Sequence, residues 1–287
     1  MKILFLTVFL FFLLLCLYFY CIMPRLSRKK QVKTFMRRLF AHRGLFTKDQ
    51  SIPENSMAAF ANAIKYGYGI ELDIQLTKDN QVVVFHDHTL SRMCGIDLPV
   101  CQLTYQELQK FPLAGTSERI PLFQDVLKLV NGKVPLLVEI KLPTFRTNTC
   151  RLADLLLQDY SGQYCVESFN PLALRWYKKH RRDVVRGQLS ANLTKPVAEG
   201  GFILCFLVKH LLLNFIGRPD FIAYCYKDTL NVSYLLNKRL LHTPTFAWTL
   251  RSEAAFEKYY SKFDSIIFDG FLPFHKHNYC SLVSRKQ

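Results

Sequence analysis

Residues 69–87 read GIELDIQLTKDNQVVVFHD, and how this stretch folds decides the architecture. Residues 69–75 form a β-rich run, and residues two apart on a strand share a face, so Glu71 and Asp73 point the same way. Asp79-Asn80 is a turn signal. The gap between Gln75 and Val82 is too short for a parallel crossover, which needs about a dozen residues. Residues 82–85 are therefore expected to form an extra strand in a hairpin. That hairpin brings His86-Asp87 back toward the end of the strand that carries the two acids.

Outward from this stretch, further β-rich runs lie at 39–42, 136–141, 164–169, 184–190, 221–226, 245–250 and 265–269. Helical segments separate most of them. Pro53 opens a helix over 54–66, Thr104 and Glu107 have capping-box spacing, Asn170-Pro171 places a cap before a proline, and Gly132 ends a helix begun near Pro121. Strands alternating with crossover helices predict a parallel sheet, and eight of them predict an α/β fold closed as a (β/α)8 TIM barrel. A barrel takes about 250 residues, so a chain of 287 leaves room for one barrel and an appendage.

The appendage is N-terminal. Residues 3–22 carry no charge, enough to span a bilayer as one transmembrane helix. The exit, Tyr20-Cys21-Ile22-Met23-Pro24, lacks a small-x-small cleavage site, so an uncleaved anchor is expected. Arg25, Arg28, Lys29, Lys30, Lys33, Arg37 and Arg38 follow it, while Lys2 precedes it. That asymmetry predicts a single-pass cell-membrane protein with a cytoplasmic catalytic domain. The division is then 1–24 transmembrane anchor, 25–39 basic juxtamembrane linker and 40–287 barrel. With half its residues apolar the chain is not disordered. Its formal charge of +16 calls for an anionic partner, and no recognition motif supports nucleic acid. Nine cysteines without a C-x-x-C pair read as reduced, buried thiols.

Polar residues gather where the strands run out, the end at which such barrels keep their active sites. His42 and Arg43 follow the first strand, Glu71 and Asp73 lie on the second, and His86 follows the hairpin. Glu139 and Lys141 lie on the third barrel strand and Trp248 on the seventh. Glu71, Asp73 and Glu139 make a hard oxygen site suited to Mg²⁺ or Ca²⁺. Two histidines beside it suggest a general acid and base, and Arg43 and Lys141 suggest clamps for a growing negative charge. Together these point to phosphoester chemistry.

Ala41-His42-Arg43-Gly44, Pro53-Glu54-Asn55-Ser56, Ile70-Glu71-Leu72-Asp73, Thr77-Lys78-Asp79, Phe85-His86-Asp87, Val138-Glu139-Ile140-Lys141, Glu167-Ser168-Phe169 and Ala247-Trp248-Thr249 resemble, in order and spacing, the glycerophosphodiester phosphodiesterase family, as a membrane-anchored bacterial-type member. The resemblance covers roughly residues 40–273. It implies a barrel related to phosphoinositide phospholipase C and a divalent cation. The implied reaction is cleavage of glycerophosphodiesters to glycerol 3-phosphate and an alcohol through a cyclic phosphate. It also implies that His42 and His86 are the catalytic pair, that Glu71, Asp73 and Glu139 hold the metal, and that Arg43 and Lys141 contact phosphate. Trp248 packs on the glycerol or belongs to the core, and Glu54 and Asn55 touch substrate or support the helix start. Two departures, Asn80 for a turn glycine and Phe268-Asp269 for a Thr-Asp, are not expected to touch the catalytic set.

A second apolar stretch, 201–217, reads GFILCFLVKHLLLNFIG. It is short for a span and reads as a barrel helix or as a membrane-contacting segment beside the mouth that admits a lipid tail. The basic stretch from Arg175 through Arg186 reads as a solvated helix face and its following loop. Two alternatives to glycerophosphodiester hydrolysis follow: a lysophospholipase D acting on lysophospholipids, or a catalytically dead, membrane-tethered lipid-binding module.

Overall fold

The computed structural model describes residues 1–142, 146–195 and 201–273; the end of the 40–287 segment, 274–287, lies outside the described residues. The chain opens with helix α1 (Lys2–Ile22) and a short turn of helix, α2 (Lys29–Val32). Strand β1 (Leu39–Ala41) then leads to α3 (Met57–Tyr66), β2 (Gly69–Leu76) and β3 (Val82–Val84). Two single-turn helices, α4 (Ser91–Cys94) and α5 (Tyr105–Leu108), precede α6 (Phe123–Val130) and β4 (Leu136–Ile140). Strict alternation follows: α7 (Asn148–Gln158), β5 (Tyr164–Ser168), α8 (Pro171–His180) and β6 (Arg186–Ser190). After α9 (Gly201–Lys209) and α10 (Asn214–Gly217) come β7 (Phe221–Cys225), α11 (Val232–Arg239), β8 (Thr245–Leu250), α12 (Glu253–Tyr259) and β9 (Ser265–Phe268).

Eight of the strands are parallel to their neighbours, and β1 pairs with both β9 and β2, so the sheet closes. The ninth, β3, is antiparallel to β2 with Ile74 opposite Val84, the expected hairpin. Asn80 supplies its left-handed turn residue at φ 60°. Beyond the hairpin the excursion is larger than the sequence suggests. Phe85, Leu90, Met93, Val100, Leu108, Leu113 and Ile120 join Val83 in a separate apolar cluster, which steadies the loop that carries His86.

Local signals locate the helices with small shifts. Thr104 and Glu107 form the full capping box, and Asn170 caps α8 ahead of Pro171. The helix expected from residue 54 begins instead at Met57, with Ser56 accepting from the Ala59 amide. Asn55 sits at φ 52°, a left-handed conformation that cannot start a helix. Similarly α6 begins at Phe123 and gives way at Asn131, φ 42°, one residue before Gly132.

Inside the barrel, Phe40, Phe221 and Phe246 stack, the last two with ring centroids 4.2 Å apart. The rings need room that side chains would deny. A Cβ on Gly187 would lie 2.1 Å from the Phe221 ring, and one on Gly69 would lie 2.7 Å from Phe40. Val32 and Phe35, both buried, close the barrel at the N-terminal ends of the strands. The basic segment after α1 is thus folded under the barrel, where Arg37 donates its amide to the Asp264 carbonyl. Arg186 corrects the solvated reading of the 175–186 stretch: it lies in β6, is 1% exposed and donates to the Gly217 carbonyl and faces Asp220. Among the described residues no disulfide forms, though Cys16 and Cys101 are exposed rather than buried.

Candidate active site

Alternation on β2 aims Glu71 and Asp73 inward, and register carries the acidic layer across the sheet. Asp73 lies opposite Glu139 on β4, which lies opposite Glu167 on β5. Glu71, Asp73 and Glu139 are buried, and each offers an oxygen within 4.8 Å of the others. Crowding of like charge shows in their proton affinities. Burial, then the charges of Asp73, Glu139 and Glu167, pushes the Glu71 carboxyl well above its usual range. Burial does the same to Glu167, aided by Glu139 and Asp73. Burial would also raise Asp73, but Lys141, His86, Arg43 and His42 outweigh it and hold that carboxyl well below its usual range. Glu139 is raised by burial against the pull of Lys141.

Cations from this chain meet the layer directly. Lys141 places Nζ 2.9 Å from Asp73 and 2.5 Å from Glu139. Arg43 donates its amide to Glu71 at 2.9 Å and its guanidinium to Glu54 at 2.6 Å, with Nε 3.5 Å from Asp73. Its own φ of 56° is a strained conformation for a non-glycine residue, secured by that amide bond and by the Asn55 amide donating to its carbonyl. The Asn55 side chain in turn donates to Asp73 at 2.9 Å.

Above the acids opens a cleft of about 600 Å³ lined by His42, Arg43, Glu54, His86, Arg251 and Asp269, among others. Each histidine is held through Nδ1 by an aspartate. His42 meets Asp269 at 2.8 Å and His86 meets Asp87 at 2.6 Å. On His42 this leaves Nε2 on the acidic side, 3.9 Å from Glu71. Burial lowers the His42 imidazole below its ordinary value, against the opposing hydrogen bond to Asp269. Arg92 ties Asp87 to Glu54, with bonds of 2.7 Å and 2.6 Å. A continuous polar chain therefore runs from His86 through Glu54 to Arg43.

The structure thus brings together His42, His86, Arg43, Glu71, Asp73, Glu139 and Lys141. Trp248 lies apart from the cleft lining, its ring edge-to-face with Phe169 at 5.5 Å, and its buried Nε1 has no hydrogen-bond partner among the described residues. Asp269 corrects the expectation that the Phe268-Asp269 departure stays clear of the catalytic set. Its place two residues beyond the inward Ile267 on the last strand was the available signal. Asp87, which stands in the Phe85-His86-Asp87 motif without an assigned role, and Arg92 also belong to the site, and nothing in the local sequence marks Arg92 as a carboxylate partner.

The sequence profile of the Glycerophosphoryl diester phosphodiesterase family matches residues 42–191. A glycerophosphodiester phosphodiesterase of Caldanaerobacter subterraneus is 33% identical over 203 residues, 66% of this chain and 81% of that protein. A lysophospholipase D of Homo sapiens is 33% identical over 131 residues, 41% of this chain and 40% of that one. Among solved structures, an Oleispira antarctica phosphodiesterase in complex with the product sn-glycerol-3-phosphate superposes with a TM-score of 0.67 at 21% identity, covering 86% of this chain and 98% of that one.

Proposed function

Since this chain belongs to the glycerophosphoryl diester phosphodiesterase family and acts as a phosphodiesterase on glycerophosphodiesters, we propose a division of labour among its residues. The observation that carries it is the cleft itself: two histidines, each held by an aspartate, face one buried acidic layer. His42, neutral because burial depresses its proton affinity, takes the proton of the substrate's glycerol hydroxyl as that oxygen attacks phosphorus. The bond from phosphorus to the alcohol oxygen breaks, and His86, the more exposed of the two, protonates the departing alkoxide. Water then opens the cyclic phosphate with the proton traffic reversed, releasing glycerol 3-phosphate.

Glu71, Asp73 and Glu139 fit a hard divalent cation such as Mg²⁺ or Ca²⁺: all their donors are oxygen, all are buried, and their mutual repulsion needs positive charge. When bound, such an ion supplies Lewis-acid stabilisation of charge on phosphate and glycerol oxygens. Arg43 faces the cleft to hold the phosphate, and Lys141 balances the acids beneath it. Helix α1 is long and apolar enough to cross a membrane and is proposed to do so once, with the barrel on the cytoplasmic side by its flanking positive charge.

Turnover of glycerophosphocholine tests this reading. Purified protein is expected to release glycerol 3-phosphate and choline, to stop in EDTA and to recover with Mg²⁺ or Ca²⁺. Full activity in EDTA would remove the metal role, and no turnover by folded protein would remove the enzymatic reading. Lysophosphatidylcholine is a second substrate class, favoured by the exposed apolar residues of α9.

A further inference from the structure

Helix α1 does not leave the barrel at the end where the basic segment lies. Its last turn is fastened to the flank of the barrel: Asn214 donates to the Ile22 carbonyl, and Arg218 donates to the carbonyls of Tyr20 and Met23 and covers the Tyr20 ring. Arg25 donates its amide to Pro219, just before β7, so this point marks the N-terminal end of the strands. One turn back along α1, the Tyr18 hydroxyl meets Ser233, in the first turn of α11. That turn follows β7, and its cap Asn231 reaches the Lys209 carbonyl at the end of α9. The helix therefore climbs from the closed end of the barrel toward its mouth. Residues 1–17, all exposed, extend in that direction.

The same end carries an apolar surface that the fold does not use. On α9, Cys205 and Val208 face inward while Phe202, Ile203, Leu204 and Phe206 are 41–75% exposed. Beside them Leu230 is 88% and Val232 63% exposed. These side chains follow β6 and β7, at the C-terminal ends of the strands, as the catalytic residues do.

We propose that the barrel lies mouth-down on the leaflet that α1 enters, with α9 and residues 230–232 seated among the lipids and the catalytic cleft opening at the headgroup plane. The occupant is the bilayer itself, because α1 fixes where that bilayer must be. Residues 2–17 span about 24 Å at 1.5 Å per residue, short of a hydrocarbon core of about 30 Å. A span that short is accommodated by local thinning of the bilayer and by interfacial flanking residues, and the residues that flank α1 on that side belong to the mouth. Tyr18 then stands nearer the depth where amphipathic rings settle. Cations between Arg25 and Arg38 follow α1 closely in the chain, where they set topology during insertion, and in the folded protein they lie at the far side of the barrel. Substrate is then a phosphodiester presented at a lipid surface, so the proposal rests on the catalytic reading for its chemistry but not for its geometry.

Tryptophan scanning in lipid tests the geometry. The full chain is reconstituted into phosphatidylcholine vesicles, with or without acyl chains brominated near the headgroup, as the variants Ile203→Trp and Leu240→Trp. Leu240 is 57% exposed at the other end of α11. Bromolipid is expected to remove more than half of the fluorescence added at position 203 and to leave that added at 240 unchanged. Equal quenching at both sites, quenching at 240 alone, or none at 203 would overturn the proposal. Glycerophosphocholine turnover equal to the unsubstituted chain reports an intact barrel. If no form turns it over, the catalytic reading fails while the quenching still decides the orientation.

Discussion

At Asp269 one carboxylate does two things to His42: it accepts a hydrogen bond from Nδ1–H and opposes the lowering of proton affinity that burial imposes. The pH dependence has a definite sign. Since burial puts His42 below the ordinary imidazole value of about 6.5, the acid limb of kcat/KM, where the base gains a proton, should lie below that pH. Asp269→Asn removes the raising influence, so the acid limb of the kcat/KM profile should move to lower pH while kcat drops about tenfold or more. An unmoved limb would show that Asp269 only packs. His42→Ala and His86→Ala should each cost about 10²–10⁴-fold in kcat, the range of a positioned acid or base, with unchanged circular dichroism. Asp87→Asn should resemble a weaker His86 variant, since it leaves the ring in place and loosens its orientation.

At the scale of elements, β2 and its partners show how a strand can be buried on both faces and still carry charge. Ile70, Leu72 and Ile74 face the helices, while Glu71 and Asp73 share the barrel interior with the facing strands. Gly187 marks the boundary between that acidic layer and the phenylalanine layer, and Phe221 fills the space its missing side chain leaves. Gly187→Ala must displace that ring, so a loss of about 1–3 kcal/mol is expected. In a domain of this size that lowers Tm by about 2–4 °C per kcal/mol, measurable by calorimetry. An unchanged Tm would mean that the Phe221 ring shifts without strain. The single-turn helices after β3 carry a different lesson. Their short apolar repeats have no clear period in the sequence, and only the cluster around Val83 and Leu113 shows that they form one unit supporting His86.

For the whole molecule, helix α1 and the barrel are proposed to work as one device. Deleting residues 2–17 should leave glycerophosphocholine turnover within about twofold, since the cleft contains no residue of α1. Hydrolysis of lysophosphatidylcholine in vesicles should fall by tenfold or more, because the mouth is no longer held at the lipid surface. Equal losses on both substrates would place α1 in the stability of the barrel rather than in its delivery to lipid.

The alternation of β-rich runs with capped helices, the short hairpin after residue 75 and the apolar length of residues 3–22 are local patterns, and the sequence determined them unaided. The positions of His42, Glu71, Asp73, His86 and Glu139 on or just past strands were legible there too, while their roles rested on the resemblance. What only the tertiary structure decided depends on which strands become neighbours when the barrel closes. Closure sets β9 beside β1 and delivers Asp269 to His42 across 227 residues; it draws Arg92 onto Glu54 and hides Arg186 in a strand. The path of α1 up the flank belongs to the same class. Its length is written in the composition of the segment, but its direction follows from bonds to Asn214, Arg218 and Ser233, whose positions exist only once the barrel has formed.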